Sequence, residues 1–166
     1  IAPSFRAEKS RTRRHLTEFW HAEMEVAWAD NQEIMTYGEG VVRKIAATLL
    51  DERSDELESL GRDLDVIARY ADSRYPRMRY DEAVETLQTM GVEIEWGQDL
   101  DYSKEKVLTQ DFDVPHFLTH YPKVAKPFYH RVDPEDGNYV LCHDLLAPEG
   151  LSLIQISEPT RPNNIS

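Results

Sequence analysis

The stretch FRAEKSRTRRHLTEFWHAEMEVAW, residues 5–28, decides how this chain is interpreted. Apolar and aromatic residues on either side of a basic, polar segment predict two strands, Ile1–Glu8 and Leu16–Trp28, joined by a loop. Side chains alternate between the two faces of a strand. One face of the second strand would carry Phe19, His21, Glu23 and Glu25. The other face would pack against helices, because it is mostly apolar and carries Glu18, Trp20, Met24 and Val26.

The polar face of this hairpin predicts a cleft for charged ligands. Neighbouring carboxylates are costly to bury unless cations, metals or donors meet them. Arg6 and Glu8 share a face of the first strand, and arginine forks suit phosphate oxygens. Phe19 can stack on a flat base, and Glu23 and Glu25 can hold an ammonium group or Mg²⁺. The loop adds Arg11, Arg13, Arg14 and His15. Together these residues predict a site for a nucleoside triphosphate and an amino acid.

Pattern alone leaves a plainer interpretation open, in which the charged hairpin is only a solvated surface. The sequence has no glycine-rich phosphate loop that would favour nucleotide binding independently. A zinc site at His21, Glu23 and Glu25 is not predicted, because their spacing is not that of a helical zinc motif.

The rest of the chain predicts helices followed by strands. Apolar spacing indicates a helix over Asn31–Glu52, with Asp30 as its N-cap and Glu33 completing a capping box. Further helices are predicted within Asp55–Tyr70, Tyr80–Met90 and Ser103–Phe112, the second of them stopped by Gly91. Strands are predicted at His116–His120, Pro127–Val132 and Tyr139–Leu146. This order predicts an α+β fold with a mainly antiparallel sheet flanked by helices.

The composition is that of a globular chain with an acidic balance. Hydrophobic residues make up 40% and charged residues 30% of the 166 positions, and the net charge is −12. An acidic balance disfavours this chain as the main surface that grips RNA, and the basic loop is a local exception. No apolar run is long enough to cross a bilayer. The single cysteine, Cys142, fits a reducing compartment and is expected to be a small buried residue.

Several separated motifs resemble one enzyme family. FRAE (5–8), RHLTEFW (14–20) and EME (23–25) resemble the second signature motif of class II aminoacyl-tRNA synthetases, in the form of the aspartate, asparagine and lysine subgroup. THYPK (119–123), KPFY (126–129) and DLLAPEG (144–150) are similar to asparaginyl-tRNA synthetases of the archaeal and eukaryotic type. The resemblance covers residues 1–150, a partial catalytic domain from the second motif onward, and its second motif is an antiparallel strand–loop–strand.

The resemblance implies a nucleotide-binding role for five residues. Arg6 would bind the α-phosphate of ATP and the amino-acid carboxylate, and it would be the catalytic residue. Glu8 would contact the adenine end, Arg14 and His15 would reach the outer phosphates, and Phe19 would stack on adenine.

The resemblance also implies an amino-acid pocket and a metal ligand. Glu23 would hold the amino acid, with His120 and Asp144 lining the pocket. Glu25 would lie near Mg²⁺, and Glu18, on the opposite strand face, would be structural. The implied activity is ATP-dependent activation of asparagine and its transfer to the 3′ end of tRNA, by a cytoplasmic homodimeric parent enzyme with no membrane part.

Three alternatives remain beside this interpretation. One is an aspartate–tRNA ligase of relaxed specificity. Another is a synthetase-like paralogue that makes or senses asparagine without charging tRNA. The third is a non-catalytic folding remnant.

Residues 151–166 depart from the family, which would continue with a run similar to YGEIIGGS. We expect them to be a non-native tail that resembles translated adapter or transposon-end DNA. Ser152–Ile156 has strand propensity, and no regular structure is expected beyond Pro159. The anticodon-binding domain and the first and third motifs are expected to be missing, and the chain alone is expected to be inactive.

Overall fold

The computed structural model describes residues 1–7 and 16–148 in full and the backbone of residues 151–157. The strands are β1 (Ala2–Phe5), β2 (Glu18–His21), β3 (Arg77–Arg79), β4 (His116–Pro122), β5 (Tyr139–Ala147) and β6 (Leu151–Ser157). The helices are α1 (Asn31–Glu52), α2 (Ser54–Ser59), α3 (Leu64–Asp72), α4 (Tyr80–Thr89) and α5 (Tyr102–Thr109), with one 3₁₀ turn at Lys123–Ala125.

The strands form two separate sheets. β1 and β2 make a two-stranded antiparallel ribbon, and the second sheet has the order β3-β4-β5-β6. Only β3 and β4 run parallel, whereas β4–β5 and β5–β6 are antiparallel. The predicted α+β fold with a mainly antiparallel sheet is therefore confirmed.

Local signals set the helix ends. The side chain of Asp30 accepts a hydrogen bond from the Glu33 backbone N–H, and the Glu33 side chain accepts one from the Asp30 N–H, which is the predicted capping box. α4 ends before Gly91, which has φ = 80°, a conformation that glycine adopts at little cost. The predicted Asp55–Tyr70 segment is two helices, α2 and α3.

The two faces of the four-stranded sheet bury two apolar clusters. On one face, Leu118, Cys142 and Leu146 pack with residues of α4 and α5 such as Leu87 and Leu108. On the other face, Phe117 and Leu145 pack with Met35 of α1 and with Tyr75. Adjacent residues of β4 and β5 point to opposite faces, so both strands are buried along most of their length.

Three strand predictions were wrong in their extent or existence, and one strand was not predicted. Within the described residues 1–7, the predicted strand Ile1–Glu8 is limited to Ala2–Phe5. The predicted strand Leu16–Trp28 shrinks to β2, whose pairing with β1 ends at Ala2 opposite His21. Pro127–Val132 is not a strand, and only Val132 forms an isolated bridge, with Val140. β3 was not predicted, since three residues carry too little pattern to be recognised.

The apolar face of the hairpin also differs from the prediction. Trp20 is 74% exposed and Met24 is 59% exposed, so neither packs against a helix. The reason is that α1, α4 and α5 cover the four-stranded sheet, and the ribbon is hydrogen-bonded to no other strand within the described residues.

The last described segment, β6, forms a strand where the sequence has strand propensity. The Ser152–Ile156 strand prediction is confirmed, because β6 pairs antiparallel with β5. The expectation for residues beyond Pro159 lies outside the described residues. None of the described helices is long and apolar enough to span a membrane.

Candidate functional site

The β1–β2 ribbon places two of the predicted nucleotide-binding residues, Arg6 and Phe19, on one face. Ser4 faces Phe19 across the ribbon, and the Arg6 N–H donates a 2.9 Å hydrogen bond to the Thr17 carbonyl. Because paired residues project to the same side, Arg6 lies on the face of Phe19 and His21. Arg6, Thr17 and three neighbours line a shallow, open depression of about 360 Å³ at the loop end of the ribbon.

Side-chain contacts hold this face together. The guanidinium carbon of Arg6 lies 5.8 Å from the centroid of the Phe19 ring, within the range of a cation–π contact. The Phe19 and His21 ring centroids are 5.9 Å apart, and His21 Nδ1 lies 3.4 Å from Glu23 Oε1. Arg6, Phe19, His21 and Glu23 thus form a continuous polar-aromatic row, hereafter the ribbon face.

The ribbon face is accessible from solvent. Arg6 and Glu23 are exposed, and Phe19 and His21 are half-buried. An exposed guanidinium beside a half-buried ring can bind a phosphate oxygen while the ring stacks on a base. Glu8, Arg14 and His15 of the predicted site lie outside the described residues.

Glu25 is exposed two residues beyond Glu23, past the end of β2. Among residues 1–7 and 16–148, no group of three or more acidic, His or Cys side chains is arranged to hold a metal ion. Mg²⁺ commonly uses one or two carboxylates together with substrate phosphates. The exposed carboxylates of Glu23 and Glu25 fit an ion of that kind.

Asp144 lies in a second polar cluster, inside the four-stranded sheet. The Tyr121 hydroxyl donates a 2.5 Å hydrogen bond to Asp144 Oδ2, and Lys126 Nζ lies 3.8 Å from the same oxygen. Lys126 Nζ also sits 3.9 Å from the Tyr121 ring centroid and 3.3 Å from Asp99 Oδ1. The Asp144 carboxylate is buried and already has two partners, so here it lines no open pocket.

Burial and neighbouring charges both shift the pKa values of this cluster. Burial raises the pKa of Asp144 above its ordinary value, although Lys126 and the Tyr121 hydrogen bond act in the opposite direction. Burial also raises the pKa of Tyr121 well above its usual range, and Asp144 adds to that effect. For Lys126, burial lowers the pKa, but the charges of Asp144 and Asp99 outweigh it, so the net pKa is raised.

His120 lies within β4, at an irregularity in its pairing with β5. The β4–β5 register shifts between Thr119 and Tyr121, and His120 has φ = 54°, a left-handed conformation rare for a side-chain-bearing residue. Its Nδ1 lies 2.8 Å from the Thr119 hydroxyl, and its Nε2 lies 3.9 Å from Asp133 Oδ2. Burial lowers the pKa of His120, with Arg79 acting in the same direction.

Sequence patterning leaves Tyr121 and Lys126 without a role. The available signal was the acidic Asp144 inside the apolar run of β5, which requires buried partners. Which residues these partners are cannot be seen in the local pattern, because Tyr121 lies 23 positions from Asp144 in the sequence.

A family model matches most of the chain. The model for tRNA synthetases class II (D, K and N) matches residues 1–151. The chain belongs to this family. The antiparallel pairing of β1 and β2 in this class II synthetase chain agrees with the form expected of the family's second motif.

Relatives of known sequence and structure narrow the subgroup. The chain is 51% identical over 150 residues to the asparagine–tRNA ligase of Thermococcus gammatolerans, covering 90% of this chain and 35% of that protein. It matches a crystal structure of Pyrococcus horikoshii asparaginyl-tRNA synthetase complexed with asparaginyl-adenylate, with a TM-score of 0.85 and 50% identity over 90% of this chain and 34% of that one. The aspartyl-tRNA synthetase of Entamoeba histolytica is more distant, with a TM-score of 0.68 and 27% identity over 90% of this chain and 32% of that one. The class II synthetase chain thus spans about a third of the length of these relatives.

Proposed function

We propose that this segment belongs to an enzyme that activates asparagine with ATP and transfers it to tRNA. The observation that carries the proposal is the Arg6–Phe19 contact on the ribbon face, in a chain about half identical to asparagine–tRNA ligases. A guanidinium beside an aromatic ring matches a ligand with a phosphate next to a base, as in ATP and in an aminoacyl-adenylate.

The proposed reaction has two steps. A carboxylate oxygen of asparagine attacks the α-phosphorus of ATP, the bond to the bridging oxygen breaks, and pyrophosphate leaves. A hydroxyl of the terminal tRNA ribose then attacks the carbonyl carbon, and AMP leaves. Such chemistry depends mainly on positioning and on stabilising charge at phosphorus, and Arg6 would do both. Mg²⁺, when bound near Glu25, would neutralise charge on the phosphate oxygens.

The remaining site assignments belong to the same proposal. Glu8 would contact the adenine end, and Arg14 and His15 the outer phosphates. Glu23 would hold the ammonium group of the amino acid, a role supported by its exposed position at the end of the ribbon face. His120 and Asp144 would shape the amino-acid pocket, Asp144 by ordering Lys126 and Tyr121 rather than by direct contact.

We further propose that residues 1–150 form part of a catalytic domain and that residues 151–166 are a non-native tail. The working enzyme would be a cytoplasmic homodimer of about the relatives' length, and the 166-residue chain alone would not form adenylate. A continuous native reading frame through residue 166 at the source locus would overturn the assignment of the tail.

A chimera tests the proposed function. Residues 1–150 would replace the matching third of the Thermococcus gammatolerans enzyme, and ATP–pyrophosphate exchange would be measured with asparagine or with aspartate. Asparagine-dependent exchange is expected. The host enzyme supplies the rest of the active site, so activity of the chimera alone does not show that residues 1–150 take part. The Arg6→Ala chimera is therefore the required control, and it must lose the asparagine-dependent exchange. Exchange with aspartate alone would instead support aspartate–tRNA ligase activity, which the similarity to the Entamoeba histolytica aspartyl enzyme makes the second candidate.

A further inference from the structure

Glu23 lies beyond the regular part of the β1–β2 ribbon. β2 ends at His21, and Glu23 belongs to no strand of the described structure. A glutamate side chain has several rotatable bonds, and fixing it in one geometry costs conformational entropy. A carboxylate that binds an ammonium group must nevertheless be held in place for the reaction to be well positioned. Backbone pairing alone therefore does not provide the order that a binding role for Glu23 requires.

We propose that His21 is a positioning residue that orients the Glu23 carboxylate toward the amino group of the amino-acid substrate. The inference rests on the proposed function, in which Glu23 holds that amino group. His21 itself would not contact the substrate, and it would act only through Glu23.

His21 is the last residue of β2 that the ribbon fixes. Its backbone pairs with Ala2 at the end of the β1–β2 ladder. Its ring lies beside the ring of Phe19, with centroids 5.9 Å apart and planes inclined by 58°. Residues two positions apart on a strand share a face, which is why these two rings meet. The imidazole is therefore held by the ribbon both at its backbone and at its ring.

The imidazole of His21 meets the Glu23 carboxylate at one pair of atoms. His21 Nδ1 lies 3.4 Å from Glu23 Oε1. This separation is long for a hydrogen bond, and contacts of this kind in sites without substrate often shorten when substrate binds. The contact keeps the Glu23 side chain on the ribbon face although β2 has ended. It engages one carboxylate oxygen, and a carboxylate has a second oxygen that can accept from an ammonium group.

A positioning role differs from a structural role in what it changes. Ion pairs between exposed side chains contribute little to folding stability. The contact of His21 with Glu23 should therefore affect the binding of asparagine and leave the stability of the fold unchanged. In urea, the unfolding midpoint of the 166-residue chain should be the same for His21→Phe as for the wild type. A lower midpoint would assign His21 to the fold and overturn the proposal.

Pyrophosphate exchange by the chimera tests the positioning role, with KM measured separately for asparagine and for ATP. His21→Phe keeps an aromatic ring beside Phe19 and removes Nδ1. It should raise KM for asparagine about 3- to 10-fold, the scale of ordering one long side chain on binding. KM for ATP and kcat should change by less than about 2-fold, because the lost interaction serves only the amino acid. His21→Asn loses the ring but offers an amide N–H in place of the Nδ1 position, so it should recover most of the affinity for asparagine.

A double-mutant cycle shows whether His21 acts through Glu23. In a Glu23→Gln chimera, adding His21→Phe should raise KM for asparagine by less than about 2-fold, since residues that act as a unit have non-additive effects. Trp20→Phe is the matched control, because Trp20 is the neighbouring residue of the same strand and lies on its opposite face. It should leave both KM values unchanged.

The outcomes separate this inference from the proposed function. A normal KM for asparagine in His21→Phe, an equal rise in both KM values, a fall in kcat alone, or a full effect in the Glu23→Gln background would overturn the inference while asparagine-dependent exchange persists. If the unsubstituted chimera shows no asparagine-dependent exchange, the proposed function fails, and this inference fails with it.

Discussion

The Tyr121 hydroxyl and the Asp144 carboxylate form a 2.5 Å hydrogen bond inside the sheet, joining β4 to β5 beyond their backbone pairing. Both side chains are buried, and the Lys126 ammonium is the other close partner of the carboxylate. A buried carboxylate that loses a hydrogen bond keeps its desolvation cost without the compensating contact. The pair should therefore matter more for stability than an exposed hydrogen bond of the same length.

Tyr121→Phe should destabilise the chain by about 1.5–3 kcal/mol, the range for hydrogen bonds to charged groups. The substitution keeps the ring on which Lys126 sits and removes only the hydroxyl. Urea unfolding followed by circular dichroism measures the change. Tyr37→Phe, at an exposed position on α1, is the matched control and should change stability by less than about 0.5 kcal/mol. Equal effects at both positions would show that the Asp144 contact is not stabilising.

Acid should destabilise the fold through two buried histidines. Burial lowers the pKa of His116 and of His143 to about 4 in each case. Neither His116 ring nitrogen, nor Nε2 of His143, has a hydrogen-bond partner in the described structure. The unfolded chain, with histidine pKa values near 6.5, therefore binds protons that the folded chain does not. Stability is full above about pH 6.5 and falls as the pH is lowered toward 4, by about 2 kcal/mol per histidine at pH 5.

His116→Phe isolates one of these contributions. Phenylalanine can keep the stacking on Phe112, where the ring centroids are now 3.8 Å apart, but it cannot take up a proton. The difference in unfolding free energy between pH 7.5 and pH 5 should be about 2 kcal/mol smaller in the variant than in the wild type. The comparison cancels other groups with shifted pKa values, such as His120 and Asp144. An unchanged pH dependence would mean that His116 is not buried in its neutral form.

Asp30→Ala should cost about 1 kcal/mol, since it removes the N-cap of α1 and leaves the Glu33 N–H without its acceptor. Thermal unfolding at neutral pH measures the loss. Asp30→Asn should recover most of it, because asparagine also caps well. If alanine and asparagine destabilised equally, the loss would come from charge rather than from capping.

Local signals explain why α1 was predictable to the residue and β2 was not. The limits of α1 are given by a capping box and by helical spacing, both contained in neighbouring residues. The extent of β2 depends instead on its pairing with a separate segment, β1, and this pairing ends at Ala2 opposite His21. The alternating pattern continues past His21 in the sequence, but no described strand pairs with it there.

In the candidate site, too, local relationships could be predicted from the sequence and long-range contacts could not. Period-two alternation predicts that Phe19 and His21 share a face, and their rings are 5.9 Å apart. The partners of Asp144 could not be predicted, because Tyr121 reaches it only after a register shift at His120. A bulge reverses which residues point to a given face, and nothing in the sequence around His120 marks it.

Arg6→Ala is expected to abolish most of the pyrophosphate exchange of the chimera, by about 100-fold or more, because it removes a contact to the phosphate on which charge develops. Arg6→Lys should not restore full activity, since an ammonium cannot match the two-pronged geometry of a guanidinium. The control is Arg53→Ala, an exposed arginine between α1 and α2 whose nearest acidic partner is Glu56. A loss mainly in kcat would assign Arg6 to the transition state, whereas a loss only in KM would make it a ground-state binding residue. Normal exchange by Arg6→Ala would remove the ribbon face from the reaction altogether.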